Sequence, residues 1–248
     1  MTDYIVNYKI FPDIQLLADH FAELFTERCV SLLKKKENIF IALSGGNTPN
    51  FYLGNLAQKK FSDQFQWNRI HFFWVDERMV PPSDHLSNYR TIKEILLDKI
   101  PLPEENIHRI KGEIVPQLEV RRYGNEIVNN VGKNRNSLPE FDWVLLGMGR
   151  DGHTASIFPG VNLNDIYQNI TAVSKSSDPG HMRITITEDI INNADFVTFI
   201  IVGSEKAEKV FEIIKGDKDQ YPAGRINPPN GNLEFLLDKD AAALLVDD

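Results

Sequence analysis

Residues 143–153 read Trp-Val-Leu-Leu-Gly-Met-Gly-Arg-Asp-Gly-His, an apolar run followed by three glycines, an acid and a histidine. A short apolar run bounded by glycine is typical of a strand buried in a parallel sheet. Two interpretations of the glycines are open. They could form a dinucleotide-binding turn, which predicts an oxidoreductase. Alternatively, they could deliver Asp151 and His153 to a cleft at the end of the strand, which predicts a hydrolytic enzyme.

The spacing of Gly147, Gly149 and Gly152 matches the dinucleotide pattern G-x-G-x-x-G. That pattern requires a helix that begins at the third glycine and presents its N-terminus to a pyrophosphate. Here Pro159-Gly160 would end such a helix within two turns, and no strand with a terminal acid follows at the usual distance. The sequence therefore favours the hydrolytic interpretation.

Short apolar runs alternate with amphipathic helical patterns along most of the chain. Strands are predicted at residues 4–10, 38–43, 70–75, 143–146, 183–187 and 196–202. Helices are predicted at residues 13–35, 49–56, 88–97, 115–131, 204–215 and 238–245. This order predicts an α/β fold, a mostly parallel sheet with helices on both faces in a Rossmann-like three-layer sandwich. No linker or repeat divides residues 1–248, so a single domain is expected.

Composition argues against several classes of protein. The 248 residues carry a net charge of −8, so no excess of Lys and Arg is present to bind nucleic acid. The three lysines at 34–36 end a predicted helix and are expected to be solvated. The single Cys29 cannot form an internal disulfide. A signal-peptide pattern and a run of ~20 apolar residues are both lacking, so a cytoplasmic protein without a membrane partner is expected.

A glycine-rich motif follows the second predicted strand, where residues 44–49 read Ser-Gly-Gly-Asn-Thr-Pro. Two glycines let the backbone approach a ligand, and proline suits the first turn of a helix. Backbone N–H groups and the two hydroxyls could hold a phosphate at that helix N-terminus. An ordinary tight turn is the alternative.

The third predicted strand ends in Asp76-Glu77-Arg78. These charges are either the start of a solvated loop or a polar cluster in the cleft, where Arg78 would suit a phosphate or an oxyanion.

Asp151 and His153 are the best candidates for chemistry. Histidine can take a proton from water near neutral pH, and a neighbouring carboxylate can fix its tautomer. A capping aspartate with a structural histidine is the alternative. A metal site is less favoured because no His or Cys lies at ligand spacing from His153. The remaining histidines, at 20, 71, 85, 108 and 181, are expected to be structural or exposed.

Taken together, the motifs resemble those of 6-phosphogluconolactonases, within a larger group that includes glucosamine-6-phosphate deaminases. The resembling blocks are residues 44–49, 74–78, 87–89, 147–159, 183–187, 203–207 and 238–243. Asn47 stands where the family has a serine, and only Pro179 remains of a proline-rich approach to Arg183. The deaminases carry a glutamate after their Gly-His that helps to position a catalytic histidine, and this chain has none in its Thr-Ala-Ser-Ile-Phe-Pro.

The resemblance implies hydrolysis of 6-phospho-D-glucono-1,5-lactone without metal or cofactor, by a monomer or weak homo-oligomer. It implies His153 as general base, Asp151 or Asp76 as its partner, and Arg78 as stabiliser of the oxyanion or as an anchor for the ligand. The phosphate would be held by Ser44, Gly45, Gly46, Asn47, Thr48, Arg183 and Lys206. The motifs do not decide whether loop 77–88 closes on the ligand. A glucosamine-6-phosphate deaminase and a sugar-phosphate-sensing domain remain as alternatives; the latter is expected to carry a DNA-binding domain.

Overall fold

The computed structural model describes residues 7–133, 137–175, 180–229 and 232–245. Seven strands form one sheet in the order β1-β11-β10-β6-β2-β3-β5, and every neighbouring pair is parallel. Its strands are β1 (Asn7–Phe11), β2 (Ile39–Leu43), β3 (Ile70–Trp74), β5 (Ile107–His108), β6 (Trp143–Leu146), β10 (Phe196–Ile201) and β11 (Asn232–Asp238). The predicted parallel sheet is therefore confirmed. Residues 4–6 of the first predicted strand and Pro179 lie outside the described residues.

A second, antiparallel sheet of four strands was not predicted. Its order is β4-β9-β8-β7, with β4 (Asp76–Arg78), β7 (Asn164–Tyr167), β8 (Thr171–Lys175) and β9 (Met182–Ile186). The strand expected at residues 183–187 belongs here. The charged motif after the third predicted strand is itself a strand.

Helices cover both faces of the parallel sheet. They are α1 (Ile14–Leu33), α2 (Pro49–Leu56), α3 (Lys59–Ser62), α4 (Asn88–Ile95), α5 (Pro116–Asn130), α6 (Glu188–Asn192), α7 (Ala207–Lys215) and α8 (Pro222–Arg225). On one face, Phe25 of α1 stacks on Trp143 of β6 at 5.5 Å between ring centroids. On the other, Tyr123 of α5 lies 6.3 Å from Phe73 of β3. Successive strand side chains point to opposite faces, so these contacts make three layers.

Most helix boundaries follow local chemistry. Asp13 caps α1 by accepting a hydrogen bond from the backbone N–H of Leu16 at 2.8 Å, and Pro49 occupies the first turn of α2. The helix predicted at residues 238–245 is wrong. The chain there continues β11 to Asp238 and then makes turns, whose start is fixed by the Ala241 N–H donating to the Asp238 carboxylate at 2.8 Å. No helix in the described ranges is both long and apolar enough to cross a bilayer.

Candidate active site

The polar motifs meet in one cleft of about 370 Å³ at the carboxyl ends of the parallel strands. Such strands end at a common edge, and ligands of open α/β sheets bind there. The predicted residues that line the cleft are Ser44, Gly45, Gly46, Asn47, Thr48, Asp76, Arg78, His153, Arg183 and Lys206. Asp151 stands beside the cleft, in contact with His153.

The loop between β2 and α2 presents backbone to the cleft. Gly46 has φ of +93°, a left-handed conformation that glycine adopts at no steric cost. A Cβ on Gly45 would come within 2.0 Å of Cγ of Asn88, so this glycine is required by packing. Thr48, the residue before α2, makes no capping hydrogen bond with its side chain, which leaves its hydroxyl available at the helix N-terminus. The arrangement suits an anion.

The turn after β6 brings histidine and aspartate together. A Cβ on Gly149 would lie 2.1 Å from Cε1 of His153, and Gly152 has φ of +80°. The ring is also held from outside the turn, since Phe158 lies 4.6 Å away between ring centroids. The glycines therefore allow the chain to fold tightly around the imidazole.

Asp151, rather than Asp76, pairs with His153. Its Oδ1 lies 2.5 Å from Nδ1 of the imidazole, and this hydrogen bond lowers the pKa of the Asp151 carboxyl. The carboxylate accepts from Nδ1–H, so Nε2 carries the free lone pair of the neutral ring. In the described part of the chain Nε2 has no hydrogen bond, and His153 lines the cleft. This arrangement suits a general base.

The second sheet supplies two arginines and one acid. In the pairing of β4 with β9, Arg78 stands opposite Arg183 and Asp76 opposite Thr185. Residues two apart on a strand share a face, so Asp76, Arg78 and Arg183 point to the same side. Two like charges placed opposite one another are unfavourable, and an anion bound between them would relieve the repulsion.

Both arginines keep hydrogen-bonding capacity. The buried Nε atoms of Arg78 and Arg183 have no partner among the described residues. Arg78 donates to the Leu86 carbonyl at 2.6 Å through one terminal nitrogen. Burial lowers the pKa of the Arg183 guanidinium, and Asp76 opposes that effect. Both guanidinium groups line the cleft, and each retains a donor that no described residue satisfies.

Lys206 is the third predicted cation of the cleft. Burial lowers the pKa of its ammonium group, nearby Glu205 and Asp238 oppose this shift, and Arg150 adds to it. An anionic ligand would stabilise the charged form. Glu205 and Arg150 also line the cleft, although only the resemblance to family blocks, which contain both positions, could have drawn attention to them.

Asn88 and Glu77 join the two halves of the site. Glu77 is buried and accepts hydrogen bonds from the backbone N–H groups of Arg78, Asn88 and Tyr89, each at 2.8 Å. This fixes the start of α4, from which the Asn88 amide donates to the Asp76 carbonyl at 2.9 Å. The same side chain packs on Gly45. Glu77 was predicted only as one charge of the motif 76–78, and no role was predicted for Asn88, because no local pattern shows that distant loops touch.

No group of three or more His, Cys, Asp or Glu side chains within the described ranges is arranged to hold a metal ion.

A sequence profile described as glucosamine-6-phosphate isomerases/6-phosphogluconolactonase matches residues 12–235. The chain belongs to this family. A 6-phosphogluconolactonase of Aggregatibacter actinomycetemcomitans is 39% identical over 243 residues, which cover 97% of this chain and all of the relative. One of Haemophilus influenzae is equally similar over the same shares.

Solved structures of the glucosamine-6-phosphate isomerase/6-phosphogluconolactonase family share the fold. A 6-phosphogluconolactonase of Thermotoga maritima, 32% identical, superposes with a TM-score of 0.79 over 94% of this chain and 99% of its own. One of Trypanosoma brucei, 27% identical, reaches 0.82 over 97% of this chain and 99% of its own. A monomeric glucosamine-6-phosphate deaminase, 19% identical, reaches 0.80 over 96% of this chain and all of its own, which shows the fold alone.

Proposed function

We propose that this chain hydrolyses 6-phospho-D-glucono-1,5-lactone to 6-phospho-D-gluconate, as the names of its full-length relatives indicate. The observation that carries the mechanism is the Asp151–His153 pair, with a 2.5 Å contact at Nδ1 and the ring in the cleft. A cyclic ester is already activated toward water. The protein needs to supply a base, an oxyanion partner and an anchor for the phosphate.

His153 removes a proton from a water molecule through Nε2, and the resulting hydroxide attacks the lactone carbonyl carbon. Asp151 keeps the proton on Nδ1 and stabilises the imidazolium that forms. Collapse of the tetrahedral intermediate breaks the bond to the ring oxygen. The imidazolium returns its proton to that leaving oxygen, which becomes the hydroxyl of the open-chain product.

Arg78 stabilises the oxyanion, and the loop Ser44, Gly45, Gly46, Asn47 and Thr48 holds the phosphate together with Arg183 and Lys206. Support comes from their common cleft and from the unpaired Nε atoms of both arginines. The phosphate does not react. Its binding energy fixes the position of the carbonyl relative to His153.

The proposed site residues lie far apart in the sequence and line one cleft, which supports a single domain. The family profile spans residues 12–235 and includes each of these residues.

The test measures acceleration above spontaneous lactone hydrolysis, coupled to 6-phosphogluconate dehydrogenase. His153→Ala should reduce kcat by roughly 10²–10⁴-fold, the usual contribution of a positioned base. His20→Ala, a histidine of α1 that does not line the cleft, serves as the control and should keep the wild-type rate. Equal rates for His153→Ala and wild type would exclude His153 as the base. Ammonia release from glucosamine 6-phosphate without lactonase activity would exclude the proposed reaction.

A further inference from the structure

Ser156 is a fully buried polar residue that the proposed mechanism does not use. Its hydroxyl donates to Oδ2 of Asp76 at 2.5 Å, across 80 positions of sequence. A short hydrogen bond to a buried carboxylate is among the stronger interactions that a serine makes. Its partner Asp76 lines the cleft beside Arg183.

The backbone conformation of the turn and two hydrogen bonds fix Ser156 in this orientation. The preceding Ala155 has φ of +50°, an unfavourable left-handed conformation for a residue with a Cβ. The Ser156 backbone N–H donates to Oγ1 of Thr185 at 3.3 Å, and its carbonyl accepts from the hydroxyl of Ser174 at 2.6 Å. A turn that carries backbone strain and is held on both sides is typical of functional sites.

The same carboxylate oxygen faces Arg183. Oδ2 of Asp76 lies 3.7 Å from Nη1 of Arg183, whereas charge-assisted hydrogen bonds of this kind are usually about 2.7–2.9 Å long. The Arg183 Nε is buried and has no partner among the described residues. Asp76 therefore stabilises the positive charge of Arg183 but does not form a close hydrogen-bonded ion pair with its guanidinium group.

We propose that Ser156 is a positioning residue: its hydrogen bond holds the Asp76 carboxylate away from Arg183 and so keeps the guanidinium donors free for the substrate phosphate. The inference rests on the proposed function. Without the hydroxyl, Asp76 closes onto Arg183 in a direct ion pair that competes with the phosphate. The loss then falls on binding of the phosphorylated substrate rather than on the chemistry at His153.

The experiment compares Ser156→Ala with wild type on two substrates, the phosphorylated lactone and glucono-1,5-lactone, which has no phosphate. The expected result is a KM for the phosphorylated lactone raised roughly 10- to 100-fold, as for loss of a hydrogen bond to a charged group. The kcat should change little, and kcat/KM for the unphosphorylated lactone should stay within about twofold of wild type. Thr171→Val removes a buried hydroxyl that donates to the Val120 carbonyl outside the cleft, and it should not distinguish the two substrates.

Asp76→Asn tests the route of the effect. If Ser156 acts through the Asp76 carboxylate, adding Ser156→Ala to Asp76→Asn should not raise the KM for the phosphorylated lactone further. Equal losses on both substrates, or additive effects of the two substitutions, would overturn the proposal.

Ser156→Cys replaces the hydroxyl with a thiol of similar shape, which is a weaker hydrogen-bond donor. It should give a KM for the phosphorylated lactone between those of wild type and Ser156→Ala, and it replaces Ser156→Ala in the test if that variant fails to fold. A wild-type KM for Ser156→Cys in that case overturns the proposal. Titration of 6-phosphogluconate by calorimetry provides a readout independent of turnover: Ser156→Ala should weaken its binding by the same factor, and unchanged affinity also counts against the proposal. Absence of wild-type lactonase activity would instead disprove the proposed function.

Discussion

At the scale of single residues, Gly149 leaves no room for a side chain beside His153. The virtual Cβ of Gly149 lies 2.1 Å from Cε1 of the ring and 2.8 Å from Oδ1 of Asp151, well inside van der Waals contact. Any side chain at position 149 must therefore displace the imidazole, its carboxylate or the turn. The glycine spacing that mimics a dinucleotide pattern has this simpler steric cause.

Gly149→Ala should accordingly reduce kcat by roughly 10²-fold, since a displacement of about 1 Å is enough to remove that much from a positioned base. Binding of 6-phosphogluconate should weaken much less, because the residues proposed to hold its phosphate lie elsewhere in the cleft. Gly132→Ala serves as the control, since a Cβ there meets nothing within 4 Å. A kcat for Gly149→Ala within a factor of two of wild type would show that the turn adapts without moving His153.

At the scale of elements, the strands that the sequence predicted are mostly the buried ones. Strands such as Ile39–Leu43 and Trp143–Leu146 are apolar throughout because both faces of a parallel sheet are covered, and their pattern was sufficient to predict them. The second sheet was missed because Asp76–Arg78 is charged and Asn164–Tyr167 is polar. The pairing of β4 with β9 joins residues about 100 positions apart, and no local periodicity encodes such a contact.

A chain of titratable groups links β3, β5 and α5. Nδ1 of His71 lies 3.0 Å from Nε2 of His108, whose Nδ1 lies 2.7 Å from Oε1 of Glu126. Burial lowers the pKa of His71, and the neighbouring His108 lowers it further, while Glu105 opposes both. These effects together favour the neutral form of His71 in the folded protein.

Because its pKa is lower in the folded than in the unfolded chain, His71 takes up a proton more readily when the protein unfolds. Its contribution to stability is present above the ordinary histidine pKa of about 6.5 and is lost as the pH falls below it. Thermal melting from pH 7.5 to 5 should show a shallower pH dependence for His71→Gln than for wild type. His85→Gln, an exposed histidine, should keep the wild-type slope. If the melting temperatures of wild type and His71→Gln depend equally on pH, His71 does not contribute to acid denaturation.

At the scale of the whole molecule, the cleft is shared by the two sheets. The parallel sheet brings the loop at 44–48 and the turn that carries His153, and the antiparallel sheet brings Asp76, Arg78 and Arg183. The sequence motifs located the loop at 44–48, the segment 76–78 and the turn that carries His153 at the ends of strands. They could not show that two arginines stand opposite each other, that Ser156 reaches Asp76, or that Asp151 rather than Asp76 contacts His153.

A ligand that bridges the sheets should stabilise the fold as a whole, since it binds the folded chain and not the unfolded one. At 100 times its Kd, 6-phosphogluconate should add about 2.7 kcal/mol to the free energy of unfolding. For a chain of this size that raises Tm by roughly 5–10 °C. Gluconate, which lacks the phosphate, should give little shift at the same concentration and ionic strength, because Arg183 and Lys206 would then lack the anion that offsets their burial. Equal shifts of Tm from both ligands would show that the sugar acid, and not the phosphate, supplies the binding energy. The proposed role of Arg183 and Lys206 would then be wrong.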